Sequence, residues 1–162
     1  MDFPFFNSGK QDIGRLVEAV RTNKNDDTLA RFMTPKAWDT MADYLSAEKV
    51  ERGQVLIAEG ALDRTLYFVE SGVLRVHYGN ASSAHVALIG AGSVVGEGSF
   101  FSQIPRNATV QATQTGVLWG LSPSRFDKMA KKDTGAALAL AMALGAVIST
   151  RMLDVSRKIA VT

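Results

Sequence analysis

Between residues 48 and 122, short β-branched and aliphatic runs are cut at close, regular intervals by glycine. The runs are Val55-Leu56-Ile57, Thr65-Leu66-Tyr67-Phe68-Val69, Val73-Leu74-Arg75-Val76, His85-Val86-Ala87-Leu88-Ile89, Ala108-Thr109-Val110-Gln111-Ala112 and Val117-Leu118-Trp119-Gly120-Leu121. Gly53, Gly60, Gly72, Gly79, Gly90, Gly92, Gly96, Gly98 and Gly116 fall between them. Strands this short, with turns this frequent, predict a small antiparallel jelly-roll barrel. No intervening segment is long enough for crossover helices, which argues against a parallel sheet.

Helical patterns flank this region. Ile13, Leu16, Val17 and Val20 recur at helix spacing, as do Trp38, Met41, Ala42 and Leu45. Thr34-Pro35 reads as a cap followed by proline at the first helical position. Ser122-Pro123 repeats that signal and predicts a short helix to Lys132. Asp133 or Thr134 then opens a longer helix running to about Ala160. The expected class is α+β, with an N-terminal helical segment at 1–46, a β-roll core at 47–122 and C-terminal helices at 123–162.

At 162 residues and 46% hydrophobic, the chain has material for one packed core. It has no cysteine, which removes thiol catalysis, thiolate zinc sites and disulfides. Two histidines, His77 and His85, leave little for a metal centre, and none is expected. The net charge of +2 announces no nucleic-acid partner, and the basic excess gathers after residue 122. The acidic N-terminus lacks the pattern of a secretory signal. The longest apolar run, 136–148, is shorter than the roughly 18 to 20 residues that cross a bilayer. The reading is a cytoplasmic protein with no membrane association.

The run from Val94 to Val110 carries the chemistry. It leaves a strand, enters a glycine-rich turn, makes a short apolar helical segment and returns through Pro105 to another strand. Backbone N–H groups gathered at such a turn attract an anion. Ser99 adds a hydroxyl, and Arg106 a guanidinium able to bind the same anion with paired donors. Glu97 is an acceptor beside them, suited to a ligand hydroxyl. An anion next to a hydroxyl, over an apolar barrel, describes a sugar phosphate. The competing reading pairs Arg106 with Glu97 across the turn. Glu97 has no second carboxylate and no nucleophile near it in sequence, so no catalytic residue is assigned and no enzyme is expected. Phe100 and Phe101 read as packing residues of the short helix.

Gly96-Glu97 followed by Pro105-Arg106-Asn107-Ala108-Thr109-Val110 resembles the phosphate-binding cassette of cyclic-nucleotide-binding domains, as in catabolite activator protein and protein kinase A regulatory subunits. Val50-x-x-Gly53-x-x-Leu56-x-x-x-Gly60 and Leu66-Tyr67-Phe68-Val69-x-x-Gly72-x-Leu74-x-Val76 are similar to the family's opening strands. The resemblance spans roughly 34–160. It implies that a cyclic nucleotide is the ligand, with no other cofactor, and that its phosphate sits on the 96–109 cassette. Arg106 would pair with the phosphate and Glu97 would accept from the ribose 2′-hydroxyl. Gly96, Gly98, Ser99 and Ala108 would complete the cradle, and Val86 would pack against the base. Asn107 stands where the family often has threonine, serine or alanine, threonine being associated with cGMP; it can still donate a hydrogen bond but sets no base preference, and the ligand expected from the family is cAMP rather than cGMP. Gly98 stands where an aliphatic residue is usual. The resemblance also implies that Arg106→Ala abolishes binding and spares the thermal melt.

The last helix reads as apolar on all faces over 136–147, hence covered on more than one side. Beyond, it narrows to Leu144, Ile148, Met152, Val155 and Ile159. Ala137, Ala141 and Gly145 permit close helix approach and suggest a homodimer through this helix, as in the family's bacterial activators. The helix is also placed to act as a lid. Those activators continue into a helix-turn-helix. This chain ends at Thr162, so direct DNA binding is not expected, and the output passes to an unidentified effector protein or to the oligomeric state. The alternatives are a ligand-free scaffold with a degenerate cassette and a receptor for a cyclic dinucleotide.

Overall fold

The computed structural model describes residues 12–79 and 86–160. The described residues open with two helices, α1 (Gly14–Thr22) and α2 (Pro35–Met41), with 3-10 turns at Leu29–Arg31 and Ala42–Tyr44. Thr34 caps α2 as expected, its hydroxyl accepting from the Ala37 N–H at 3.1 Å with Pro35 at the first helical position. Caps of this kind contribute about 1 kcal/mol.

Eight strands follow among the described residues: β1 (Ser46–Val50), β2 (Val55–Ile57), β3 (Leu66–Val69), β4 (Leu74–His77), β5 (Val86–Ile89), β6 (Val94–Val95), β7 (Thr109–Ala112) and β8 (Gly116–Leu121). They form two antiparallel sheets, β1-β8-β3-β6 and β2-β7-β4-β5. The jelly-roll architecture is the one expected. The β1 strand was not expected, because Ala47, Glu48 and Lys49 are all exposed and carry no alternation. It is an edge strand, paired only with β8.

The period of two sorts the first sheet's side chains between two cores. Leu66 and Phe68 of β3, with Trp119 and Leu121 of β8, face the helices. Val69 and Leu118 face the second sheet and meet Leu74, Val110 and Ala112. Trp38 of α2 meets Phe68 edge-on at 6.1 Å, which locks the N-terminal helices to the barrel.

The chain closes with α4 (Pro123–Lys132) and α5 (Thr134–Ala160). The Ser122 hydroxyl accepts from the Arg125 N–H, capping α4. The Asp133 carboxylate, between the helices, accepts from the Tyr44 hydroxyl at 2.6 Å. Ala136, Ala137, Leu140, Ala143, Leu144 and Val147 line one buried face of α5 and share a core with Leu16, Leu29, Trp38 and Met41. Helices from both ends of the sequence therefore pack together on one sheet. Two readings of α5 change. Leu138 and Met142 are 62% and 50% exposed, so the described residues cover this half on one side only. By length and composition the helix over Thr134–Arg157 is sufficient to cross a membrane, which the 136–148 run alone did not suggest.

Candidate functional site

Between β6 and β7 the chain forms α3 (Glu97–Ser102), entered through Gly96 at φ +87°. A side chain at Gly96 would place its Cβ 2.7 Å from an Arg106 guanidinium nitrogen and 2.8 Å from the Thr65 carbonyl oxygen. Glycine is therefore required both for the left-handed backbone and for the close approach of Arg106. The first-turn N–H groups of α3 belong to Glu97, Gly98 and Ser99, which have no intrahelical acceptors.

Arg106 is 3% exposed. Its Nη2 donates to Asp63 Oδ2 at 2.8 Å and to the Thr65 carbonyl at 2.7 Å. Its Nη1 donates to the Gly96 carbonyl at 3.2 Å and Ser99 Oγ at 3.4 Å, and its Nε is buried without a partner. Its own backbone is fixed to Ala61 and Gly60. Burial works against the ionised Asp63 carboxyl, but bonds from Arg106 and Thr65 outweigh it and hold the group below the usual aspartate range.

Glu97 does not pair with Arg106. It accepts from Arg151 Nη1 at 2.5 Å, while Arg151 Nε donates to Asp27 Oδ2 at 2.8 Å and its Nη2 to the Val94 carbonyl at 3.0 Å. Desolvation disfavours the Arg151 cation, yet the two carboxylates more than compensate and raise its pKa.

Arg106, Glu97, Arg151 and Asp27 border a cavity of about 870 Å³, within the range of small-molecule sites. One end is the cassette: Gly96, Glu97, Gly98, Ser99, Arg106, Asn107 and Ala108 all line it. Ile57, Val76, Ala87, Ile89, Val95 and Val110 make the apolar wall, and Arg151, Asp154 and Val155 of α5 overhang it with Asp27. A Cβ at Gly98 would meet nothing within 4 Å, so the missing side chain enlarges the cavity. The backbone of Val86 pairs with His77, but its side chain lies outside the described residues; on the same strand Ala87 and Ile89 reach the cavity. His85 also lies outside the described residues. Phe100 packs against Phe126 at 5.4 Å and Phe101 at 5.5 Å, away from the cavity lining.

Sequence reasoning did not place Asp63, Asp27, Arg151 or Asp154 in the site. Arg151 and Asp154 were visible only as charged residues off the apolar stripe of α5. Asp63 and Asp27 stand in polar turns that carry no motif.

The model of the cyclic nucleotide-binding domain matches residues 47–133. The chain is 29% identical over 119 residues to the cAMP-dependent protein kinase type II regulatory subunit of Drosophila melanogaster, covering 74% of this chain and 30% of that protein. It is 34% identical over 116 residues to the acetyltransferase Pat of Mycolicibacterium smegmatis, covering 69% of this chain and 35% of that protein. The chain thus spans about a third of the length of these curated relatives. Among solved structures, a cyclic nucleotide-binding domain from Methylobacillus flagellatus superposes with a TM-score of 0.76 at 18% identity, covering 91% of this chain and 82% of that one, a likeness of fold. With the barrel, the glycine-entered cassette helix and a buried arginine on one cavity, and a family match over more than half its length, the chain belongs to the cyclic nucleotide-binding domain family.

Proposed function

We propose that this chain is a regulatory module that binds a cyclic nucleotide in the cavity, cAMP in preference to cGMP, and acts without catalysing a reaction. The observation that carries the reading is Arg106: a buried guanidinium on the cavity wall, one nitrogen unpartnered, beside the first turn of α3. The cyclic phosphate is assigned to Arg106, Ser99 and the backbone of Gly96, Gly98 and Ala108, with Asn107 beside it. The ribose hydroxyl is assigned to Glu97, whose second oxygen is left by Arg151. The base is assigned to the strand of Val86, where Ala87 and Ile89 line the cavity. The preference for cAMP rests on the names of the kinase relatives.

Occupancy is read by α5, whose Arg151, Asp154 and Val155 border the cavity. Its exposed surface carries the large apolar side chains Leu138, Met142 and Met152, which the described residues leave uncovered. This supports a homodimer through α5, on a face shifted from the one first drawn, since Ala137 is buried in its own core. The division into an N-terminal helical segment, a β-roll at 47–122 and C-terminal helices assigns ligand to the roll and output to the helices. The output is to the second copy or an effector protein, in the cytoplasm, without DNA or membrane contact.

Thermal melts with cAMP, cGMP and a cyclic dinucleotide test the reading. At a hundredfold excess over its dissociation constant, a ligand of the native state adds about 2.7 kcal/mol. A rise largest with cAMP, and reduced in Arg106→Lys, is expected. No rise with any of them would favour the ligand-free scaffold.

A further inference from the structure

The residue that ties the N-terminal segment to this cavity is Asp27. It stands in the polar turn after α1, and that turn is held at both ends. Asn23 donates through Nδ2 to the Ala91 carbonyl at 3.3 Å and to Ser93 Oγ at 3.2 Å. On the other side Thr28 caps the 3-10 turn, and Leu29, 1% exposed, sits in the helical core with α5. Asp27 therefore presents its carboxylate from a fixed frame, 19% exposed, to Arg151.

Arg151 spends every guanidinium nitrogen on a different element: Asp27 of the turn, Glu97 of α3 and the Val94 carbonyl of β6. Upstream, Val147 is fully buried; downstream, residues 152–157 are exposed. Arg151 is thus the last fixed point of α5 before the turn that carries Asp154 and Val155 over the cavity.

We propose that Asp27 is a positioning residue for the ligand site: it holds Arg151 so that α5 stays over the cavity while Glu97 is left able to accept from the ligand. The inference rests on the cavity being the nucleotide site. With Asp27 present, Arg151 engages one Glu97 oxygen and leaves the other. Without it, the guanidinium is free to turn both donors on Glu97 as a bidentate pair, competing with the ligand's hydroxyl. The same loss removes one of the tethers of the overhanging helix. Both effects lower affinity, and by linkage whatever loosens the helix weakens the ligand that favours its docked position.

The test uses the full chain with Asp27→Asn, Arg151→Gln and the double variant, and Asp27→Glu as the conservative control. Titration with cAMP is expected to show Asp27→Asn weakening affinity about five- to tenfold, Asp27→Glu recovering part of it, and non-additive effects in the double variant. Additive effects, or unchanged affinity in Asp27→Asn, would overturn the proposal. Hydrogen exchange of the ligand-free proteins separates this from the parent reading. Faster exchange over 148–157 in Asp27→Asn, in a wild type that binds no nucleotide, would sustain the tether and sink the assigned ligand. Unchanged exchange there would overturn the tether whether or not nucleotide binds.

Discussion

Arg106 is both a candidate ligand contact and a structural strut, and the two roles predict different outcomes for different substitutions. Arg106→Ala removes the side-chain donor to the Thr65 carbonyl and to Asp63 Oδ2, and one of the two donors to the Gly96 carbonyl, so it should cost about 2–3 kcal/mol in a denaturant titration. The expectation that alanine here spares the melt therefore does not follow from the geometry. Arg106→Lys keeps the charge and loses the planar fork, and is the cleaner probe of binding. At the two cassette glycines the outcomes should diverge. Gly96→Ala forces a clash with Arg106 and a strained φ, costing about 2 kcal/mol or more, whereas Gly98→Ala meets open space and should leave the melt unchanged or slightly higher. The lowered pKa of Asp63 has a definite sign: its contribution is complete above the ordinary aspartate value of about 3.9 and disappears as pH falls through the lower folded value. Melts taken from neutral pH downward should therefore show wild type converging on Asp63→Asn only below about pH 4. The cassette was legible because its donors are contiguous. Its supports were not, because Asp63, Glu97 and Asp27 meet their arginines across 43, 54 and 124 residues of chain.

The elements were legible where periodicity ran long enough to register. Thr34-Pro35 and Ser122-Pro123 marked helix starts that the structure places at the same residues, because cap and proline act locally. The β1 strand was hidden, since an edge strand exposed along its middle needs no alternation, and Val94–Val95 is too short to show any. For α5, apolar composition alone could not say which residues face the core. The structure sorts Leu140 and Leu144 inward and Leu138 and Met142 outward. Leu144→Ala should accordingly cost about 3 kcal/mol, read by chemical unfolding. Met142→Arg should leave the fold intact and convert a dimer to a monomer in sedimentation. An unchanged mass in the wild type and variant would remove that face from the account.

At the scale of the molecule, one sheet serves two cores: its inner face closes the barrel beside the cavity and its outer face carries helices from both ends of the chain. That arrangement gives the cavity a wall of strands, a polar end made by the cassette and an overhang made by α5. On the proposed reading, a ligand touching all three would couple cassette to helix through Glu97, which Arg151 of α5 holds. The barrel followed from glycine-spaced strands, but the joining of both helical ends over it depended on burial that no local pattern encodes. The most direct measurement is amide hydrogen exchange of the wild-type chain with and without saturating cAMP. The account predicts slowed exchange over 96–109 and over the part of α5 around Arg151, with the outer edge strand β1 unchanged. Equal exchange in both states, or protection confined to surfaces away from the cassette, would contradict it.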